Sequence, residues 1–517
     1  MNTTATTLSE TSSRRAHQDF SWEAMWSLFD GDPERINIAH ECLDRHPAAR
    51  VGARIAFADG SFDEVTFGEL SAQSSQFAHH LEALGIRKGE PVGIMMEPSR
   101  EFYAALFGTI KSGAVAVPLY TLFGPDALRD RLDDCRARVV VVDPGTRQAA
   151  EALDVRCLVF DDRLRVQLSG LSDVYETSTA ATDTAVLQYT SGTTRQMPEA
   201  VRHEHRSVVT LARAALYATG VRAEDRFFCP SSPAWGHGLW HGTIGPWSLG
   251  AAAGAWSGRF DVNTFADALL HFGITNLSAA STIYRMLLRA GRASELSTLT
   301  KASYTGEELD ADAQRALHEA FGIPVCGMYG TTETGVIVVN FPGFEDHEPK
   351  PGALGKPMPG CRLAVLDDNG DLAPVGETGE IAVFRRGGWL RSKDLGSIDT
   401  DGFFHYEGRA DDVIISAGWT ISPLEVERTL LRHPVVSEAA VVGVPDATRG
   451  RVVKAFLVVN RPGDDRLTHE LQELVKRELS PHEYPRQIEF VHDLPKTPSG
   501  KINRRELRDR PTGQPRS

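Results

Sequence analysis

Cysteine is scarce in this chain, and no two cysteines are close enough in sequence to act together. Cys42, Cys135, Cys157, Cys229, Cys326 and Cys361 show no C-x-x-C spacing. This excludes a zinc ribbon or a disulfide framework and predicts reduced thiols, as in a cytoplasmic protein. Basic charge is also short: 55 Lys and Arg stand against 69 Asp and Glu, a formal net charge of -14. That balance argues against a nucleic-acid partner, which would need a local basic patch. No long apolar run is present. The most hydrophobic stretch, 234–256, is broken by His237, His241 and Pro246 and crowded with glycine, so it predicts a buried strand and turn and no membrane span. Residues 1–19 are rich in Thr and Ser, carry Glu10 and lack an apolar core. They predict a disordered tail, with neither a signal peptide nor a transit peptide. A G-x-S-x-G elbow and a G-x-G-x-x-G turn between strand and helix are both missing, which argues against a serine hydrolase and a dinucleotide enzyme.

What is present is an α/β pattern. The 517 residues correspond to roughly three or four units of ordinary domain size. A helical stretch over 67–84 alternates with apolar runs at 91–96 and 139–142, the signature of βαβ packing. After residue 183 the alternation returns, with helices at 262–272 and 311–321 and a strand at 323–328. No repeat of solenoid length interrupts it. Near Gly379 the texture changes to short strands and turns, predicting a small β-rich subdomain. Beyond Asp412 a compact α+β module follows, with helices at 423–432 and 467–478 and strands at 439–444 and 452–459.

Four segments carry chemistry. Thr190-Ser191-Gly192-Thr193-Thr194 follows the apolar run 185–189; small residues after a strand let backbone N–H groups and hydroxyls close around phosphate oxygens. Tyr329-Gly330-Thr331-Thr332-Glu333-Thr334-Gly335 also follows a β-like run and offers a carboxylate, a ligand suited to Mg2+. Tyr406-Glu407-Gly408-Arg409-Ala410-Asp411-Asp412 precedes the terminal module, and Pro495-Lys496-Thr497-Pro498-Ser499-Gly500-Lys501 presents a lysine on a Pro/Gly turn near the end. His237 and His241 stand four apart, a metal-ligand spacing if the segment is helical, but no acidic partner accompanies them and His203-Glu204-His205 lies elsewhere in the sequence. Core or pocket histidines are the expectation.

In this order the segments resemble the adenylate-forming superfamily of acyl-CoA synthetases, peptide-synthetase adenylation domains and luciferases, from about residue 20 to 507. The 29–46 opening, the Leu122-Phe123-Gly124-Pro125 turn and Ala417-Gly418-Trp419 look most like bacterial acetyl-, medium-chain- and benzoate-type acid-CoA ligases. The resemblance implies a large N-terminal domain over 20–408, built of αβαβα layers plus the β-rich subdomain. A hinge at 409–412, pivoting on Asp411, would then join it to a small mobile C-terminal domain over 413–517. It also implies ATP, Mg2+ and CoA as cofactors or cosubstrates. Thr190, Ser191, Gly192, Thr193, Thr194 and Arg195 would hold phosphate. Gly306, Glu307, Glu308, Tyr329, Gly330 and Thr331 would hold the adenine side, Thr332 the α-phosphate and Glu333 the metal, while Asp394 and Arg409 would meet the ribose. Lys501 would bridge substrate carboxylate and α-phosphate. Trp235, His237, Trp240, Ala280, Ser281 and Val336 would line an acyl pocket whose bulky aromatics suit an aryl or short acid, and Gly418 and Trp419 would line the CoA tunnel.

The chain departs from the family at three places. Arg195-Gln196-Met197-Pro198-Glu199-Ala200 replaces the usual Gly-x-Pro-Lys-Gly, Gly327 stands where many relatives carry Asp, and Thr420 where many carry Arg. The function expected is ATP-dependent activation of an acid as acyl-adenylate, then transfer to the CoA thiol. An alternative keeps adenylation and changes the acceptor or acid: a carrier-protein thiol, an amine, or nitrite activation for diazotisation of an aryl amine. A third reading, motivated by the altered phosphate loop, is a nucleotide binder without catalysis.

Overall fold

The computed structural model describes residues 7–151, 153, 155–189, 200–306, 309, 311–331, 334–410, 414–416, 419–446, 450–479, 483–497, 502–508 and 510. Two compact units emerge, residues 1–360 and 361–517.

The first unit is built on two sheets. One has six strands in the order Arg156–Val159, Val139–Val142, Pro91–Met95, Val115–Pro118, Thr184–Tyr189 and Ala200–Glu204, parallel except for the last pair. The four consecutive valines 139–142 are all buried, as a strand covered on both faces requires. The other sheet has nine strands. Its interior runs parallel through Lys301–Thr305, Asn276–Ala280, Arg226–Cys229, Ala252–Ser257 and Val51–Phe57. Val325–Thr331 joins this set on one side, and the antiparallel strands Gly335–Val339, Lys356–Pro357 and Phe62–Thr66 complete the edges.

Local chemistry explains the helices between them. Phe67–Ala83 begins at a reciprocal capping box of Thr66 and Glu69, and Arg100–Lys111 at Ser99, whose hydroxyl accepts from Phe102 N–H. Lys111 is buried, and burial lowers its pKa; its ammonium is held by Asp44 at 2.7 Å and Ser75 at 3.0 Å.

Two expectations are corrected here. Residues 7–19 are ordered: helix Ser13–Gln18 is capped by Ser12, and Asp346 accepts from Ser13 N–H at 2.6 Å and Ser12 Oγ at 2.7 Å. The tail's serines act as cap and docking donors, a role their composition does not distinguish from disorder. The stretch 234–256 opens with helix, not strand and turn. A π-type turn, His237–Ile244, runs into helix Gly245–Ser248, and only Ala252–Ser257 is a strand. The glycines that read as turn formers serve close packing: a Cβ on Gly238 would lie 2.2 Å from Ser231 O, and one on Gly242 2.9 Å from Cys229.

The second unit begins with a four-stranded antiparallel sheet, Leu363–Leu366, Gly379–Arg385, Gly388–Ile398 and Phe404–Arg409. The compact division therefore puts these strands with 361–517, whereas the sequence reading grouped them with 20–408. A hairpin, Ile414–Ser416 with Trp419–Ile421, follows. A three-stranded sheet comes next, Val436–Asp446, Gly450–Val459 and Gln487–Phe490, packed with helices Pro423–Leu431, Asp465–Glu478 and Arg504–Arg508. Among the described residues no helix is long and apolar enough to cross a membrane.

Candidate active site

Thr190, Ser191, Gly192, Thr193, Thr194, Arg195, Glu307, Glu308, Thr332, Glu333, Asp411, Gly418 and Lys501 lie outside the described residues. Their neighbours define the frame around them. Strand Thr184–Tyr189 delivers the chain to 190, and Tyr189 is fixed there: its hydroxyl bonds Asp134 at 2.6 Å and Arg131 O at 2.8 Å. Gly306 follows strand Lys301–Thr305 directly, at φ +97°. Tyr329, Gly330 and Thr331 end strand Val325–Thr331 and pair with Val338, Val336 and Gly335. The tip between the strands is bracketed by hydroxyls, since Thr331 N–H donates to Thr334 Oγ1 at 2.9 Å and Thr334 N–H to Thr331 Oγ1 at 3.2 Å. Gly330 is obligatory: a Cβ there would stand 2.0 Å from Gly335 O.

Several residues expected to line an acyl pocket lie beside this frame. The Trp235 ring lies 3.2 Å from where a Gly306 Cβ would project, and its centroid is 5.2 Å from His237, edge-on. Val336 faces Gly330 across the hairpin, and Ala280 pairs with Thr305 beside Gly306. Ser281 is buried at the start of helix Ser281–Arg289. The two ring nitrogens of His237 lie 2.8 Å from Ser231 Oγ and 2.9 Å from Ser278 Oγ. Ser303 Oγ donates to Ser278 Oγ at 2.9 Å, extending the chain. Trp240 donates its indole N–H to Gln188 at 2.7 Å.

Sequence reasoning missed Gln188, Ser231, Ser278 and Ser303; a glutamine inside the apolar run before the phosphate loop was the available signal. It also set His203 apart. The strand pairing Thr184–Tyr189 with Ala200–Glu204 instead carries the His203 ring to 4.3 Å from Trp240. Burial pushes the pKa of His237 down to about 3 and those of His203 and His241 to about 4. All three are neutral at pH 7. Together with Trp235 and Trp240 these neutral rings form an aromatic cluster with hydrogen-bonding but uncharged edges. Gly327 has a physical reason too: a Cβ would meet Tyr304 Oη at 3.1 Å, so the tyrosine fills the space an aspartate would need.

In the second unit Asp394 and Arg409 are cross-strand partners, with Arg409 Nη1 3.1 Å from Asp394 Oδ1. The Asp394 carboxylate is almost fully buried and its backbone N–H donates to Ser392 Oγ at 3.1 Å. Trp419 opens strand Trp419–Ile421. Either side of 498–501 the chain is paired: Lys496 and Ile502 form an antiparallel bridge, and Asn503 N–H donates to Pro495 O at 2.7 Å.

Comparison with known proteins identifies the family. The AMP-binding enzyme family matches residues 44–388, and the AMP-binding enzyme C-terminal domain matches 425–501. The chain belongs to this family. Acetyl-coenzyme A synthetase of Bacillus subtilis is 31% identical over 95% of this chain and 94% of its own length. The anthranilate CoA ligase AuaEII, solved with anthranoyl-AMP, superposes with a TM-score of 0.83 at 29% identity over 93% of this chain and 98% of that one. A benzoate CoA ligase from Burkholderia xenovorans LB400 gives 0.80 at 27% identity over 92% and 100%. Within the family the chain is an AMP-forming acid-CoA ligase, activating an acid with ATP and passing the acyl group to CoA.

Proposed function

We propose that the acid is an aryl or short-chain carboxylic acid. The observation that carries this is the rigid wall made by Trp235, His237 and Trp240, each held by an edge contact or a hydrogen bond against Gly306, Ser278 or Gln188. Such a wall suits a flat or small group.

In this reading the acid carboxylate attacks the α-phosphorus of ATP and pyrophosphate leaves. Thr190 to Thr194 and Arg195 hold the phosphates, with Gly306, Glu307, Glu308, Tyr329, Gly330 and Thr331 against the adenine and Asp394 and Arg409 at the ribose. Thr332 bonds the α-phosphate, Glu333 supplies a hard carboxylate oxygen for Mg2+, and Lys501 stabilises the charge that develops as pyrophosphate departs. A pivot at Asp411 then exchanges Lys501 for the Gly418 and Trp419 segment, and the CoA thiolate attacks the acyl carbon while AMP leaves. The cytoplasm is the proposed compartment, since all six cysteines are unpaired and would stay reduced there.

The test is Mg2+- and ATP-dependent pyrophosphate release across aryl and short-chain acids, with and without CoA. CoA-dependent turnover with one acid is expected. Turnover without CoA in nitrite plus an aryl amine would replace the acceptor, and no release under any condition would return the chain to nucleotide binding alone.

A further inference from the structure

We propose that residues 10–22 form a positioning strap for the strands that carry Tyr329, holding that residue in place for ATP from a distant part of the sequence. The proposal rests on the adenine-side role given to Tyr329 above. The strap is docked along its length. Arg222 Nη2 donates to Glu10 O at 2.7 Å, and Glu345 N–H donates to Thr11 O at 2.9 Å. Asp346 accepts from Ser12 Oγ at 2.7 Å, Ser13 N–H at 2.6 Å and Arg14 N–H at 3.2 Å. Desolvation opposes the charge on Asp346, but these donations outweigh it and hold its carboxyl well below the usual carboxylate range. Further along, the Arg213 guanidinium lies over the Trp22 ring, 4.8 Å from its centroid, and Arg213 Nη1 donates to Pro359 O at 3.3 Å. The Phe20 ring packs on Gly360 so closely that a Cβ there would stand 2.2 Å from it.

Between these anchors His17 reaches the edge strand Lys356–Pro357. Its Nε2 lies 2.9 Å from Pro357 O and its Nδ1 2.7 Å from Ser13 O. Pro357 pairs with Val338, and Val338 pairs with Tyr329, so two strand pairings separate the strap from Tyr329. Met358 N–H adds a bond to Ile337 O at 2.9 Å. An edge strand of two residues, one of them a proline without an N–H, makes few ladder bonds of its own. Its register therefore depends on what holds it from outside. The chain leaving Gly335–Val339 has the same need: Phe341 takes a left-handed φ of +47°, a conformation that persists in a non-glycine residue only where its surroundings impose it. The His17 ring, 5.6 Å from that of Phe341, is part of those surroundings.

The test uses the full chain with a variant on each side of the contact, His17→Ala and Asp346→Ala, both at exposed positions where folding is retained. Amide hydrogen exchange should quicken across 335–339 and at Met358, while Val139–Val142 in the other sheet keeps its protection. The KM for ATP should rise about threefold to tenfold with kcat for pyrophosphate release within about twofold, the split left by lost ground-state binding. Asp346→Asn, which keeps one carbonyl oxygen for the donors, should show a smaller rise of the same kind. Because both substitutions release one strap, the double variant should be no worse than Asp346→Ala alone. Unchanged exchange across 335–339, faster exchange with an unchanged KM for ATP, or faster exchange in both sheets alike would overturn the positioning role. The reading beneath it fails separately: if Tyr329→Ala leaves the KM for ATP unchanged, the adenine assignment is wrong and this proposal goes with it.

Discussion

At the scale of single residues the site depends on contacts with no slack. Trp240, placed in the proposed acyl wall, stands against His203, and its indole N–H satisfies Gln188, which is buried. Trp240→Phe keeps most of the ring and strands the glutamine oxygen. A buried acceptor left unpaired costs about 1–3 kcal/mol. The variant should lose that much stability in denaturant unfolding and show a raised KM for the acid with the KM for ATP unchanged; a raised KM for ATP instead would move Trp240 out of the acyl wall. Gly330 and Gly335 make a second comparison. A side chain on Gly330 collides with backbone at 2.0 Å, whereas around Gly335, at φ +61°, nothing lies within 4 Å. Gly335→Ala therefore costs only its left-handed conformation, about 1 kcal/mol. Gly330→Ala must open the hairpin and should cost several times more, with ATP binding weakened by about tenfold or beyond. Equal effects in calorimetry and ATP titration would contradict the close approach.

Elements show where sequence reading succeeds and where it stops. Helix Pro423–Leu431 begins at Ser422, whose hydroxyl caps Glu425 N–H at 3.4 Å and also donates to Glu407 O. Ser422→Ala should destabilise the second unit by about 1 kcal/mol. Ser422→Asp keeps the cap, lacks the donor, and is expected to recover most of that loss; if it recovers none, the tether to Glu407 is the larger contribution. This helix was legible because cap, proline and apolar spacing agree, and the strand Val139–Val142 was legible because four valines in a row leave few alternatives. His237–Ile244 was not. Its glycines carry the signature of a turn, and only the neighbouring carbonyls of Ser231 and Ser232 and the Cys229 side chain show that they are needed for packing. His203 was misjudged for a related reason: it is distant from Trp240 in sequence, and only the antiparallel return of Ala200–Glu204 closes that gap. The motif segments that carry Gly306, Tyr329 and Asp394 stand out by their order along the chain, while Gln188, Ser278 and Ser303, which support Trp240 and His237, sit on strands that read simply as core.

For the whole molecule the distribution of buried histidine predicts how acid acts. Burial holds His46, His203, His205, His241 and His347 down to about 4 and His237 to about 3, against 6.5 for an unburied imidazole. Above pH 6.5 folded and unfolded chains both keep these rings neutral, and the stabilisation is complete. Between 6.5 and about 4 the unfolded chain takes up protons that the folded chain refuses, so stability falls as pH falls, by up to about 1.4 kcal/mol per pH unit for each ring. His40, whose pKa is raised by its bond to Asp44, opposes this with a single group. Carboxylates held low, such as Asp44, Asp183 and Asp346, add their own loss only as pH approaches and passes below their ordinary range near 3.8. These six histidines, and His80, whose pKa burial also lowers, all belong to residues 1–360. The apparent unfolding midpoint should therefore drop steeply from pH 7 to pH 5, and limited proteolysis at pH 5 should cut within the first unit before the second. His241, whose buried Nδ1 lacks a hydrogen-bond partner, provides the control: His241→Leu should flatten the slope by nearly one proton. A midpoint independent of pH over that range, or first cleavage beyond residue 360, would show that these rings are protonated in the folded protein and that the neutral pocket wall is wrong.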